Sequence, residues 1–139
     1  RAINIHMGIS PYYKGTDCNF WAIYDENINY VGATIHLLSK NLDSGDILYH
    51  AISKYDEDVF DYSMSTVYSA FKSLEEKIKS KEIFNLIPVR QNRKKLIRYS
   101  TKDQFTDDVI NDFFIKIKNL KKETINYNDL INPYLLDLK

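Results

Sequence analysis

From Tyr30 to Leu38 the chain is β-branched and apolar, and after a loop over Lys40 to Gly45 a second strand pattern runs from Asp46 to Ile52. Runs of this composition and length, bounded by turn residues, predict buried strands. Such strands need covering on both faces, and the flanking sequence supplies helical patterns to do it. Thr16 or Asp17 can cap a helix reaching about Glu26, with Phe20, Trp21 and Ile23 among its apolar residues. An acidic stretch from Asp56 to Asp61 introduces a longer helix, roughly Ser63 to Phe84. Its Val67, Phe71, Leu74 and Ile78 recur at spacings of three and four, which predicts the core stripe. Beyond the break at Pro88, Thr101 or Thr106 can cap a further helix to about Leu120, with Val109, Phe113 and Ile117 on its inner face. The tail from Lys121 to Lys139 mixes turn residues with Leu and Ile and is expected to dock on the domain formed by residues 1–120.

The start of the chain completes the pattern. Ala2 to Ile5 reads as the end of a buried strand, with Asn4 and His6 near its tip. Two residues apart on a strand, these side chains share a face. Met7 to Gly15 carries Gly, Ser and Pro and reads as a loop. Strand, loop, helix, strand, strand, helix, helix is the order of an α/β domain. In open α/β sheets, sites gather beyond the carboxyl ends of strands. Asn4, His6 and the loop carrying Asp43 fit that placement. The first strand leaves an edge that would need a partner from upstream sequence.

A length of 139 residues suits one domain or the larger part of one. Nineteen Lys and Arg balance nineteen Asp and Glu, so no overall field favours nucleic acid or a membrane surface. No apolar run approaches the roughly 18–20 residues that span a bilayer. The lone Cys18 excludes an internal disulfide and fits a reducing, cytoplasmic setting. Three scattered histidines and one cysteine match no metal-site spacing.

The polar residues point to acyl transfer onto an amine. That chemistry requires the attacking nitrogen to lose a proton and the developing oxyanion to be stabilised. Histidine titrates near neutrality and can take the proton. An asparagine amide can donate to the oxyanion. A carboxylate beside the histidine stabilises its charged form. Asn4, His6 and Asp43 could fill these three roles. Taken singly, each also has a plain structural reading, a strand-end pair for Asn4 and His6 and a turn residue for Asp43. Asp46 lies close enough to compete with Asp43.

The runs Asn4-Ile5-His6, Pro11 to Gly15, Gly32-Ala33-Thr34-Ile35-His36 and Asp43-Ser44-Gly45, in that order, resemble the signature of the folate-dependent formyltransferases. That family includes glycinamide ribonucleotide transformylase, methionyl-tRNA formyltransferase and the sugar N-formyltransferases. The resemblance covers roughly residues 2–52. It implies the C-terminal portion of a Rossmann-like formyltransferase domain, with helices completing it, and 10-formyltetrahydrofolate as formyl donor. It further implies catalytic roles for Asn4, His6 and Asp43, and substrate or folate contacts from Pro11, Tyr12, Gly15, Thr34, His36 and Gly45. Met7-Gly8-Ile9-Ser10 departs from the family's usual Ser-Leu-Leu-Pro and resembles bacterial members, some of which modify sugars. The family's N-terminal half has no counterpart here, so the chain is expected to be a fragment of a longer enzyme that could form a homodimer, with pairing to a separate N-terminal chain as the alternative. An amino-sugar nucleotide is the first acceptor expected, with glycinamide ribonucleotide, methionyl-tRNA or water as alternatives. A catalytically inert binding module is the rival from a different class.

Other candidates carry plainer readings. Phe20 and Trp21 suit the core, whereas Tyr12 and Tyr13 lie in the active-site loop. Cys18 reads as a buried helical thiol, and His50 matches no motif. Six basic residues from Arg90 to Lys102 form either a solvated surface or a contact for phosphates. Leu96 and Ile97 interrupt those charges as a short strand would.

Overall fold

A computed structural model describes residues 1–120 and 125–137. Its centre is a four-stranded sheet. β1 (Ile3–His6), β3 (Ala33–Leu37), β4 (Ile47–Ser53) and β6 (Tyr134–Leu136) lie side by side in that order. β1 and β3 run antiparallel, as do β3 and β4, while β6 joins β4 in parallel. β2 (Tyr13–Gly15) and β5 (Arg98–Ser100) form a separate parallel pair. β6 falls where the sequence shows only turn residues with Leu and Ile. Residues 121–124 and 138–139 of the expected tail lie outside the described residues.

Alternation divides the sheet into two chemical faces. Ile3 and Ile5 of β1, with Ala33 and Ile35 of β3, turn into an apolar cluster that includes Leu48, Ala51 and Ala70. Asn4, His6, Thr34 and His36 alternate with them and turn the other way. In register, Asn4 lies opposite His36 and His6 opposite Thr34. This pairing assembles the polar face before any loop is considered.

α2 (Val59–Lys79) covers the apolar face. It starts earlier than the pattern predicts because Asp58 caps it, accepting from the amides of Phe60 and Asp61 at 2.9 and 3.0 Å. The expected stripe of Val67, Phe71, Leu74 and Ile78 is corrected in part: Leu74 packs against the apolar cluster and Val67 is half-buried, but the other two face outward. Phe71 is 61% exposed and Ile78 49%. The face toward the sheet instead carries Tyr62, Thr66, Ser69, Ala70 and Ser73. These also recur at helical spacing, but most are small or hydroxyl-bearing. Short side chains bring the helix close, and the hydroxyls find partners: Ser69 donates to the Ile52 carbonyl at 2.8 Å and Ser73 meets the Tyr49 hydroxyl at 2.9 Å. Hydropathy periodicity cannot recognise a helix face built this way.

α1 (Cys18–Tyr24) and α3 (Asp107–Lys118) pack with the start of α2 around a second cluster. Trp21, Ile23 and Phe113 are buried in it, with Val109 and Ile117 against it, as expected. Asp17 stands before α1 in the left-handed region, yet its side chain caps nothing. Thr106 caps α3, and Thr101 caps its own single turn over 102–104. Arg98 of β5 grips the Asp25 carboxylate through two nitrogens at 2.9 and 2.6 Å and lies 4.3 Å over the Trp21 ring. The basic run is therefore split, with Arg98 fastening β5 to the end of α1.

Candidate active site

The polar face of β1 and β3 meets the loop between β3 and β4 at Asp43. Asp43 Oδ2 lies 3.2 Å from His6 Nδ1. Asp43 Oδ1 accepts from Asn4 Nδ2 at 3.1 Å and lies 3.5 Å from His36 Nε2. Asn4 Nδ2 also lies 3.4 Å from His36 Nε2. One carboxylate thus gathers an amide and two imidazoles from two neighbouring strands. Asp46 is exposed and does not reach His6.

The bonding partners define the proton inventory. His6 Nε2 faces the Tyr13 carbonyl at 3.2 Å, a group that can only accept. With Nδ1 on a carboxylate, His6 therefore has acceptors at both ring nitrogens and suits the imidazolium form. Burial opposes that charge, but the hydrogen bond to Asp43, with Cys18 beside the ring at 3.6 Å, overcomes it and holds the His6 pKa up at about 10. The His6 hydrogen bond, working against burial, keeps the Asp43 carboxyl below its ordinary value, and His36 adds to the effect. His36 Nδ1 lies 2.9 Å from the Leu37 carbonyl. That carbonyl can only accept, so Nδ1 donates to it, while Nε2 faces both Asn4 Nδ2 and Asp43 Oδ1.

Several candidates from the sequence serve the site indirectly. Thr34 donates to the Gly8 carbonyl at 2.6 Å and accepts from the Ser10 amide at 2.9 Å, clamping the loop after β1. Pro11 is buried in that loop, after a cis Ser10–Pro11 bond. A Cβ on Gly45 would stand 1.6 Å from the Leu37 carbonyl oxygen, so only glycine lets the Asp43 loop close onto the end of β3. At Gly15, φ is +90° and a Cβ would meet the Ser100 carbonyl oxygen at 1.9 Å. Gly15 therefore serves the β2–β5 pairing.

Tyr12 requires a correction as a substrate contact. Its ring is buried and stacked on Tyr30 with centroids 4.4 Å apart, and its hydroxyl donates to the Asp129 carbonyl at 3.3 Å. A side chain committed to packing on both ends has no free edge for a ligand. Tyr13 is likewise buried, bonded to Asp25 and Asn27.

Two residues with no role in the sequence pattern support the site. Gln91 Nε2 donates to the carbonyls of Asp43 and Gly45 at 3.0 and 2.8 Å. It pins the loop while Asp43 occupies the left-handed region at φ 50°. His50, wholly buried, holds the Ser10 carbonyl with Nε2 and the Ile131 amide with Nδ1, both at 2.9 Å. A lone Gln within a basic run and a His on an apolar strand carry no motif to reveal either role.

The fold is an α/β domain with its polar centre at the sheet's end, and residues 1–83 match the formyl transferase family model. The chain belongs to that family. It is similar in structure to the formyltransferase PseJ from Anoxybacillus kamchatkensis, solved with UDP-4,6-dideoxy-4-formamido-L-AltNAc and tetrahydrofolate. There the TM-score is 0.59 at 22% identity, covering 87% of this chain and 67% of that one. A sugar N-formyltransferase from Shewanella gives 0.63 at 20% identity, with 97% and 56% covered. An N-formyltransferase from Helicobacter canadensis, solved with folinic acid and dTDP-3-aminofucose, gives 0.56 at 18%, with 90% and 51% covered. The chain thus spans between about half and two thirds of the length of these relatives.

Proposed function

We propose that this chain carries the catalytic centre of a formyl transfer from 10-formyltetrahydrofolate to the primary amine of a nucleotide-linked amino sugar. The observation that carries the reading is the Asn4, His6, Asp43 cluster, in a chain of the formyl transferase family. Similarity to proteins solved with nucleotide sugars and folates supports the choice of acceptor and donor. The residues fit such a donor: an amide and a cation can face an oxygen that gains negative charge, and a carboxylate can face an ammonium that loses a proton.

The donor supplies an activated formyl carbon. Attack by the amine would move charge onto the formyl oxygen, where hydrogen-bond donors stabilise it; the bond from the formyl carbon to the folate nitrogen then breaks, and the proton lost by the amine ends on that nitrogen. Asn4 provides an amide N–H by releasing its longer contact, the 3.4 Å one to His36. His6, held as imidazolium, supplies positive charge beside it. This differs from the proton-accepting role the sequence suggests for His6, because a ring donating from both nitrogens has no free lone pair. Asp43, whose side chain is 17% exposed against 5% for His6, is the group open to the incoming amine and accepts its proton. The remaining bond to Asp43 Oδ1 keeps Asn4 turned toward the reaction.

The test follows tetrahydrofolate release from 10-formyltetrahydrofolate by the full-length protein, with and without dTDP- or UDP-linked amino sugars. Release that depends on the sugar, with formamido sugar formed in equal amount, is the expected result. Release at the same rate without any amine would make the enzyme a hydrolase. No release with any amine would leave an inert module.

A further inference from the structure

Beside the Asp43 loop, the lining of a cleft of about 490 Å³ includes Lys14, Asp46, Arg90, Gln91, Arg93 and Lys94. Four of these are cations, from β2 and from the segment before β5, and Asp46 is the one carboxylate among them. Among the described residues none of the four is in a salt bridge. That contrasts with Arg98 of the same basic run, which is locked to Asp25. Lys14 is partly buried, and burial together with the Arg93 charge lowers its pKa, while Asp43 raises it. Lys14 and Arg93 lie close enough to oppose one another, and four cations against the single carboxylate of Asp46 leave the cleft an excess of positive charge that can receive an anion. The cleft also has a physical link to the chemistry, because Gln91 lines it and bonds the carbonyls of Asp43 and Gly45.

We propose that this cleft is the phosphate subsite of the acceptor, with Lys14, Arg90, Arg93 and Lys94 holding the diphosphate of a nucleotide-linked amino sugar and so setting its amine at Asp43. The inference rests on the formyl-transfer reading for the identity of the reacting amine, but the anion site stands on its own charges. In such a sugar the diphosphate lies one ring away from the amine, which suits a cleft that shares a wall with the Asp43 loop. The glutamate carboxylates of a folate are the other anions that could enter. Two arginine forks and two ammonium groups suit a diphosphate better than a single glutamate tail.

The test is calorimetric titration of the protein with UDP, dTDP and inorganic pyrophosphate, and separately with 5-formyltetrahydrofolate. Arg93→Gln and Arg90→Gln each remove one exposed charge, and Lys95→Gln, an exposed neighbour that does not line the cleft, is the control; melting curves verify folding. Loss of one charge-assisted contact should weaken diphosphate binding about tenfold. Lys95→Gln should leave it unchanged, and folate binding should survive all three changes. Absence of diphosphate binding, or equal weakening by Lys95→Gln, would overturn the subsite. Weakening of folate alone by Arg93→Gln would assign the cleft to the donor's tail and also overturn it. Diphosphate binding without any folate binding would sink the formyl-transfer reading while leaving the subsite intact.

Discussion

His6 and His50 are both buried, yet the structure holds them in opposite charge states. His6 meets a carboxylate and a carbonyl, and its pKa rises to about 10. His50 meets a carbonyl on one side and a backbone N–H on the other, and burial drives its pKa down to about 4. The difference shows that burial alone does not set charge. The partner of the second ring nitrogen does, since a donor there excludes the proton and a carboxylate demands it. His6 thereby becomes a fixed positive charge beside Asp43. His50 becomes a neutral pin between the loop after β1 and the segment leading to β6.

Replacing the carboxylate breaks the comparison most directly. Asp43→Asn should lower formyl transfer by roughly 10²–10⁴ and bring the His6 titration, followed by NMR, down from its raised position. An unmoved His6 titration in Asp43→Asn would remove Asp43 as the source of the charge. Asn4→Ala should cost about 10²–10³ in kcat, with KM little changed, through loss of an oxyanion donor. A change in KM alone would assign Asn4 to ground-state binding.

The next effect is on stability. His50→Ala breaks two buried hydrogen bonds and should destabilise the fold by about 2 kcal/mol, measured by urea unfolding. In the wild type, the two histidines also give opposite pH dependences. His50 is depressed, so its contribution is present above the unfolded value of 6.5 and is lost as pH falls toward 4. His6 is raised, so its contribution is complete below 6.5 and is lost as pH rises toward 10. A His50→Ala protein should therefore lose the part of the acid limb between pH 6.5 and 4 while keeping the alkaline one. Persistence of that acid segment would show that another group causes it.

Gln91→Leu should lower kcat about tenfold, since the Asp43 and Gly45 carbonyls lose their shared donor. The activity of Gln91→Leu at saturating substrates tests it, and wild-type turnover would make the contact merely structural. The smallest effect is expected on α2. Phe71→Ser should change stability by no more than about 0.5 kcal/mol, as at an exposed site. A loss of several times that in the melting curve would show that something covers this face in solution.

The two faces of β1 and β3 explain how much of the site was legible. Asn4 and His6 share a face by simple alternation, and so do Thr34 and His36, so their common direction follows from spacing of two alone. Their family pattern with Asp43 was also readable, because ordered blocks survive where overall identity is low. The cross-strand pairing of Asn4 with His36 was not, because antiparallel register depends on the bonds between strands. The α2 stripe misled for a different reason. Hydropathy marks Phe71 and Ile78 as buried, but Ser69 and Ser73 win the sheet-facing side by fitting close and bonding to β4.

Local order in the chain was sufficient to specify the α/β pattern and the Thr106 cap of α3, since these depend on neighbours a few positions away, and the ordered blocks singled out Asn4, His6 and Asp43. Tertiary structure decided the charge of each histidine, the duty of Gln91 and the division of the basic run between Asp25 and an open cleft. Each of these is set by a partner more than ten residues away or by exclusion of water. Both are properties of the folded chain, in which side chains compete for the same few atoms.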